Sequence, residues 1–563
     1  MSSWWGNRNQ FRSLKGREID PEDIFLDSTN RAALDKLSLE GRIERPVSRR
    51  AILAVGTVFT LVALVFLGQA VNLQILQGEA FADISRNNRI DRAVVFAPRG
   101  IIYDRNGKEL AWNSVASSTE FFAERVYTES PGFSHILGFV RYPKADAMGE
   151  WWREEYIGVA GIERERNSTL AGSNGSQLAE TDARGSFVRE DIVDPPEVGA
   201  SVHLSIDADV QAELARVLQE HAAANGFVGG AAAIMDVESG ELLAITSFPE
   251  YDQTAFSRGD SAIVSAANQD AATPLLNRAV SGLYTPGSIV KPIFAAAALE
   301  EGLIDPQKSI LSTGSISIPN PYFPDQPSIF RDWKAHGWVD MRRAIAVSSD
   351  VYFYAIGGGF EDQRGLGIQL INDYAHRFGL GEVTGFLLGG EAEGVIPTPE
   401  WKEEVFEDDW RLGDTYNTVI GQYGFQITPL QAVRFVTAIA NGGNLLVPHL
   451  EKDVRAEWVR IDVSDENLQI AREGMRAAVT DGGTAASLNM GGIELAGKTG
   501  TAQTGTRNQH MNSWAIGFWP ASQPKYAFAA VLEKAPAGTN SGAAPAMSRF
   551  FNWLRDVKPE YVR

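Results

Sequence analysis

Three short runs hold the residues best equipped for chemistry: Ser288-Ile-Val-Lys291, Ser348-Ser-Asp350 and Lys498-Thr-Gly500. A serine hydroxyl is a poor nucleophile until a neighbour takes its proton. A lysine three residues further along a helix shares its face, and partial desolvation can lower its pKa enough to make it that base. Ser348 can pass a proton between the lysine and a leaving amine, and Asp350 can orient the substrate or the lysine. Lys498 adds positive charge, with Thr499 and Thr501 able to donate to a carboxylate. Together they supply a nucleophile, a base, a relay and an anion site, a full set for attacking an amide carbonyl through an acyl-enzyme. Each run alone has a plainer reading: a serine N-cap with a solvated lysine, a helix cap, a phosphate loop. The phosphate loop fails because the run follows no short strand-to-helix turn. The order, spacing and flanking text of all three favour the chemistry.

The flanking text also shows what must position them. Tyr284-Thr-Pro-Gly opens on a turn and runs into an apolar helix to Leu299, with Pro292 tolerated in its first turn. Ser288 then sits at a helix N-terminus, where developing negative charge is favoured. Ser348 to Asp350 precede the apolar Val351-Tyr-Phe-Tyr354. Ile493 to Ala502 reads as a strand. Alternation places Thr499 and Thr501 on one face and Lys498 on the other, so the lysine must reach the site around an edge or through a local twist. Gly500 leaves room for a substrate backbone. The amides of Ser288 and Thr501 are the expected oxyanion donors, each worth about 10²–10³ in rate.

The chain has 563 residues, which predicts two or more domains. Its net charge of −20 argues against nucleic-acid binding. Residues 1–50 are the exception at +2, so the remainder carries −22. The absence of cysteine excludes disulfides, thiolate metal sites and a cysteine nucleophile. No cofactor and no metal are expected.

Ala51 to Leu67 is an uncharged apolar run that reaches spanning length when continued to Val71. Arg45, Arg49 and Arg50 abut its start, which predicts a cytoplasmic N-terminus and a single-pass inner-membrane protein whose bulk lies outside the cytoplasm. The expected organisation is a cytoplasmic tail over 1–50 with a short helix from Arg31 to Leu39, a transmembrane helix over 51–71, and domains over 72–200 and 201–563. The first domain reads as short strands and glycine-rich turns, with a hairpin at Asp104-Arg-Asn-Gly107 suited to a two-residue type I′ loop. Asp194-Pro-Pro-Glu-Val-Gly199 reads as a linker. Beyond it come a strand over Val202–Ile206, an amphipathic helix over Asp207–Ala224 and two strands around Asp236-Val-Glu-Ser-Gly240.

With these residues placed, the chain resembles the class B penicillin-binding proteins, and among them the elongation type. Pro98-Arg-Gly-Ile-Ile-Tyr-Asp-Arg-Asn-Gly107, Leu110-Ala111 and Asn113 are similar to the opening of that family's pedestal. Gly158-Val-Ala-Gly-Ile-Glu163 is similar to the pedestal's second half. Asn277-Arg-Ala, Gly421-Gln422 and Thr428-Pro-Leu-Gln431 look like transpeptidase signatures. Phe378-Gly-Leu-Gly381 with Thr398-Pro-Glu-Trp-Lys402 leans toward elongation over division.

The resemblance implies a transmembrane helix, a β-rich α+β pedestal, and an α/β transpeptidase domain built on a five-stranded antiparallel sheet sandwiched by helices. It implies that Ser288 attacks the D-Ala-D-Ala bond of a donor stem peptide, that a neighbouring strand's amine takes the acyl group, and that β-lactams trap Ser288. Expected partners are a RodA-like glycosyltransferase and an MreC-like scaffold. The same serine–lysine chemistry serves β-lactamases and β-lactam sensors. A β-lactamase would be shorter, without pedestal or anchor, and a sensor would carry several membrane helices. Asp350 departs from the asparagine most of the family carries there. Some relatives bind zinc beside the site through a cysteine, which this chain lacks.

Overall fold

The computed structural model describes residues 48–81, 90–114, 122–147, 150–181, 187–320, 323, 325–505 and 507–562, without the side chains of 90–92, 178–181 and 187–192. The chain divides into two compact units, Met1–Arg89 and Ile90–Arg563.

In the first unit, α1 (Arg49–Val71) begins where the Ser48 hydroxyl accepts from the Ala51 amide. It runs on as a wider turn over Asn72–Leu76. Within Arg49–Leu76 an 18-residue stretch reaches a mean hydropathy of 2.5, and none of that stretch is buried against protein. Phe59, Phe66 and Leu67 are exposed. An apolar helix with no protein cover, its backbone bonds satisfied internally, is compatible with a membrane anchor. The helix expected over Arg31–Leu39 lies outside the described residues.

The second unit opens with β1 (Ile90–Val95), β2 (Ile102–Tyr103), β3 (Glu109–Asn113), β4 (Arg125–Tyr127), β5 (Gly175–Thr181), β6 (Phe187–Asp194) and β7 (Val202–His203). They form two sheets, ordered β1-β5-β6 and β7-β2-β3-β4. The hairpin at Asp104–Gly107 is present, but it is not the expected two-residue type I′ loop. Only Gly107 takes a positive φ there, at +84°. The Asp104 carboxylate accepts from the Asn106 and Lys108 amides, and the register slips between Ile102 and Tyr103. A glycine-closed turn with a bulge thus replaces the tighter loop.

The expected linker is a docked segment. Glu197 and Ser173 exchange both backbone hydrogen bonds, and the Gly199 amide donates to Pro98 O. A Cβ on Gly199 would stand 1.9 Å from Leu170 O, so only glycine fits. Beyond it, β7 pairs in parallel with β2, so a strand expected to open the second domain completes the pedestal sheet.

The pedestal's centre is ionic. Glu163 accepts from Arg99 Nε at 2.5 Å and from Arg125 Nε at 2.7 Å, with all three side chains fully buried. Asn113 braces both arginines, donating to Arg99 O and accepting from Arg125. The Pro98-Arg-Gly and Gly-Ile-Glu163 signatures therefore meet in one charge cluster.

The catalytic part is built on β8 (Gly229–Asp236), β9 (Leu242–Phe248), β10 (Ala496–Thr504), β11 (His510–Trp519) and β12 (Tyr526–Pro536). The sheet is antiparallel in the order β9-β8-β12-β11-β10. On one face α2 (Ala208–Asn225) and α8 (Ala543–Val557) bury Val210, Leu214, Met547 and Phe551 with Trp519 and Phe528 of the sheet. On the other lie α3 (Lys291–Glu300), α4 (Met341–Val347), α5 (Asp350–Gly358), α6 (Pro429–Ala440) and α7 (Asp465–Thr480). Asp207 caps α2 by accepting from the Asp209 and Val210 amides. Thr428 and Gln431 form a reciprocal capping box at the start of α6, the physical content of the Thr-Pro-Leu-Gln signature. This is the expected five-stranded sandwich.

Candidate active site

The turn that carries Ser288 is wedged between a strand and a loop. Gly287–Val290 forms a 3₁₀ turn that leads into α3. Gly287 has φ +56°, and its amide donates to Gly421 O at 2.9 Å. A Cβ on Gly421 would lie 2.3 Å from Gly287 O. A Cβ on Gly500 would lie 2.6 Å from Pro286 O. Gly500 therefore makes room for the turn that carries Ser288, where the sequence suggested room for a substrate backbone. Helix α3 is buried from Lys291 to Leu299, so Lys291 enters the interior one turn beyond a half-buried Ser288.

The second run joins two helices through one residue. Ser348 ends α4 in the left-handed region at φ +60°, and Ser349 caps α5 by accepting from the Tyr352 amide. The helix-cap reading holds for Ser349, which leaves the Ser348 hydroxyl free of that task. Asp332 secures this junction from a fully buried position. Its carboxylate accepts from Ser349 Oγ at 2.9 Å and from the Val351 amide at 3.1 Å.

Behind the cavity the three runs meet. Lys291 Nζ donates to Ser348 O at 2.9 Å, Ser348 Oγ at 3.3 Å and Asp350 Oδ1 at 2.6 Å. Lys498 Nζ donates to Ser348 Oγ and to Thr499 O, both at 2.9 Å. Ser348 Oγ is thus the one atom that touches both lysines. Lys498 is fully buried and approaches from the helix-covered face of β10, so no detour around the edge is needed. Burial, helped by the Lys291 charge and opposed by Asp350, pushes the Lys498 amine well below the usual lysine range. Lys291, by contrast, has a carboxylate in direct contact.

Thr499 and Thr501 face a cavity of about 360 Å³ that Ser288, Ser348 and Asp350 also line. Thr501 O accepts from Gln422 Nε2 at 3.4 Å, away from the β11 side of the strand. In an extended residue N–H and C=O point the same way, so the Thr501 amide faces the open edge with it. That geometry suits an oxyanion donor. Two lining residues were missed in the sequence. Trp333 forms part of the wall, and Thr484 accepts from Thr499 Oγ1 at 2.7 Å. Gly482-Gly483 before Thr484 was the available signal, an unusual turn close ahead of the third run. Trp333 follows a mixed hairpin segment and carried none.

The penicillin binding protein transpeptidase domain, as a family, matches residues 230–552, more than half the chain. The chain belongs to this family. The penicillin-binding protein dimerisation domain matches residues 118–204, so the chain is of the class B, pedestal-bearing kind. Among curated relatives, the peptidoglycan D,D-transpeptidase MrdA of Acinetobacter baumannii is 30% identical over 473 residues, covering 78% of this chain and 67% of the relative. MrdA of Escherichia coli is 27% identical, covering 90% and 93%. Among solved structures, the complex of penicillin-binding protein PBP2 with MreC from Helicobacter pylori superposes with a TM-score of 0.68 at 27% identity, covering 83% of this chain and 99% of that one. A chain from a peptidoglycan synthase complex that coordinates polymerization and crosslinking gives 0.70 at 27% identity, covering 91% and 99%.

Proposed function

We propose that this penicillin-binding protein is a serine-type peptidoglycan D,D-transpeptidase of cell elongation. The observation that carries the reading is Ser348 Oγ held between Lys291 and Lys498 behind a cavity onto which Ser288 opens. Ser288 Oγ attacks the carbonyl of the donor's D-Ala-D-Ala bond, and its proton passes to the lysine pair. Ser348 relays that proton to the departing D-Ala amine. The amides of Ser288 and Thr501 hold the oxyanion, while Thr499, Thr501 and Lys498 answer the donor's terminal carboxylate. An amine of a second strand then takes the acyl group, and water in its place would give a D,D-carboxypeptidase side activity. β-Lactams stop the cycle at the acyl-enzyme.

Residues 72–200, with β7 added from the 201–563 segment, serve as pedestal, and the rest of 201–563 serves as the catalytic domain. Arg45 ahead of α1, with Arg49 and Arg50 in its first turn, hold the N-terminus in the cytoplasm, so the site works beside the wall. The likeness to MreC-bound and synthase-complex structures supports an MreC-like scaffold and a RodA-like glycosyltransferase as partners.

Purified protein incubated with a fluorescent penicillin is the test. Wild type should form a stable covalent adduct and Ser288→Ala none, while remaining folded by circular dichroism. An adduct on the alanine variant, or rapid turnover by wild type, would overturn the assignment.

A further inference from the structure

Among the described residues one charged side chain stands on the wall of the catalytic cavity, and it is the carboxylate of Asp350. Both lysines lie behind that wall, fully buried. Asp350 gives Oδ1 to Lys291 and keeps its side chain 17% exposed. Among the described residues no hydrogen bond reaches its Oδ2. Trp333, 60% exposed, is pinned to the same turn, its indole N–H donating to Val347 O at 3.2 Å. A carboxylate can only accept hydrogen bonds, and an indole face attracts cations. An asparagine in its place would offer both a donor and an acceptor. This chain offers acceptance and negative charge.

We propose that Asp350 and Trp333 form a subsite for a cationic group, an ammonium carried on the acyl side of the donor substrate. The inference rests on the transpeptidase reading above. The acyl side follows from the cavity's layout. Thr499 and Thr501 line it from β10 with hydroxyls suited to the donor's terminal carboxylate, which departs with the leaving residue. Asp350 and Trp333 come from the helical side and face the part that stays on Ser288. Lys291 already pairs with Asp350 Oδ1, and two further cations stand nearby and act against the subsite. Lys334 and Arg343 line a separate recess of about 170 Å³ that shares Trp333 and Thr484 with the cavity. Arg343 is tied there to Asp481 O at 2.7 Å.

Three penicillins on one nucleus test the charge preference: ampicillin with an ammonium, benzylpenicillin with no side-chain charge, carbenicillin with a carboxylate. Acylation rates of the full-length protein are read by competition with a fluorescent penicillin. Ampicillin should exceed carbenicillin by about five-fold, the upper range for a partly exposed charge pair. Asp350→Asn should bring the two within about two-fold whatever its effect on absolute rate, because a ratio cancels damage common to all ligands. Trp333→Leu leaves the Lys291 pair intact and should lower the ratio by about two-fold, so it carries the test should the asparagine variant fail to label. A ratio unchanged in the variants overturns the subsite. Faster acylation by carbenicillin in wild type also overturns it, and would give the field to Lys334 and Arg343. No labelling by any of the three, benzylpenicillin included, would instead overturn the underlying transpeptidase reading.

Discussion

The pedestal and the catalytic domain each bury two basic residues around one carboxylate, and they use the set in opposite ways. In the pedestal, Arg99 and Arg125 take one oxygen each of Glu163. A guanidinium does not lose its proton in a protein, and its planar fork holds direction as well as charge. The cluster is a strut. In the catalytic domain, among the described residues, Asp350 hydrogen-bonds Lys291 alone, and the buried Lys498 amine reaches a hydroxyl and a carbonyl but no carboxylate. An amine in that position sheds its proton readily. The same inventory of charge is thus a fixed support where the bases are arginines and a movable proton where they are lysines.

Breaking each cluster should separate the two roles. Lys291→Ala should slow acylation by fluorescent penicillin about 10²–10⁴-fold, the range for loss of a general base, with the fold retained. A rate within a few-fold of wild type would remove Lys291 from the chemistry. Glu163→Ala leaves two buried arginines unmatched and should cost about 3–5 kcal/mol of stability, read by thermal melting. Acylation per folded molecule should be unchanged, and a specific loss there would show the pedestal cluster acting on the site.

Lys498→Met sharpens the contrast. Acylation should fall about 10²–10³-fold, as for loss of one polar group from a preorganised site. Stability should hold or rise. With its folded pKa depressed by burial, the native lysine holds its proton less firmly than the unfolded chain does, so its removal lifts a penalty. A marked loss of melting temperature would make Lys498 a strut after all.

His135 is the pedestal's own buried base without a carboxylate partner, pushed down by burial to about 4 from an ordinary 6.5. Between those values the unfolded chain binds the extra proton. Stability should be full above pH 6.5 and fall as pH drops toward 4, by about 3 kcal/mol in all. His135→Phe should flatten that slope in melts taken at pH 7 and 4.5.

Much of the catalytic domain was legible because its signals are local. Asp207 caps its helix by its own side chain, and a Pro-Gly turn before an apolar run can lead into little but a buried helix. The three runs were readable as a set for the same reason. What the sequence hid depends on residues far apart in the chain. Gly500 was read against a substrate because nothing local reveals that Pro286 will lie across it. Lys498 looked misplaced by alternation because the helical layer it points into comes from residues 288–350. Asp332, which holds the Ser349 cap, sits 17 residues upstream in an unremarkable stretch. The Asp194–Gly199 segment has a linker's composition, yet close backbone approaches dock it.

That docking, with β7 seated in the pedestal sheet, leaves no hinge where the pedestal and the catalytic domain meet. Leu204 and Ile206, just past the strand, are fully buried. A graft of one relative's pedestal onto another's catalytic domain, cut at residue 200, would tear a strand from its sheet. The seam for such chimeras lies beyond Ile206, so the first residues of the nominal catalytic domain must travel with the pedestal.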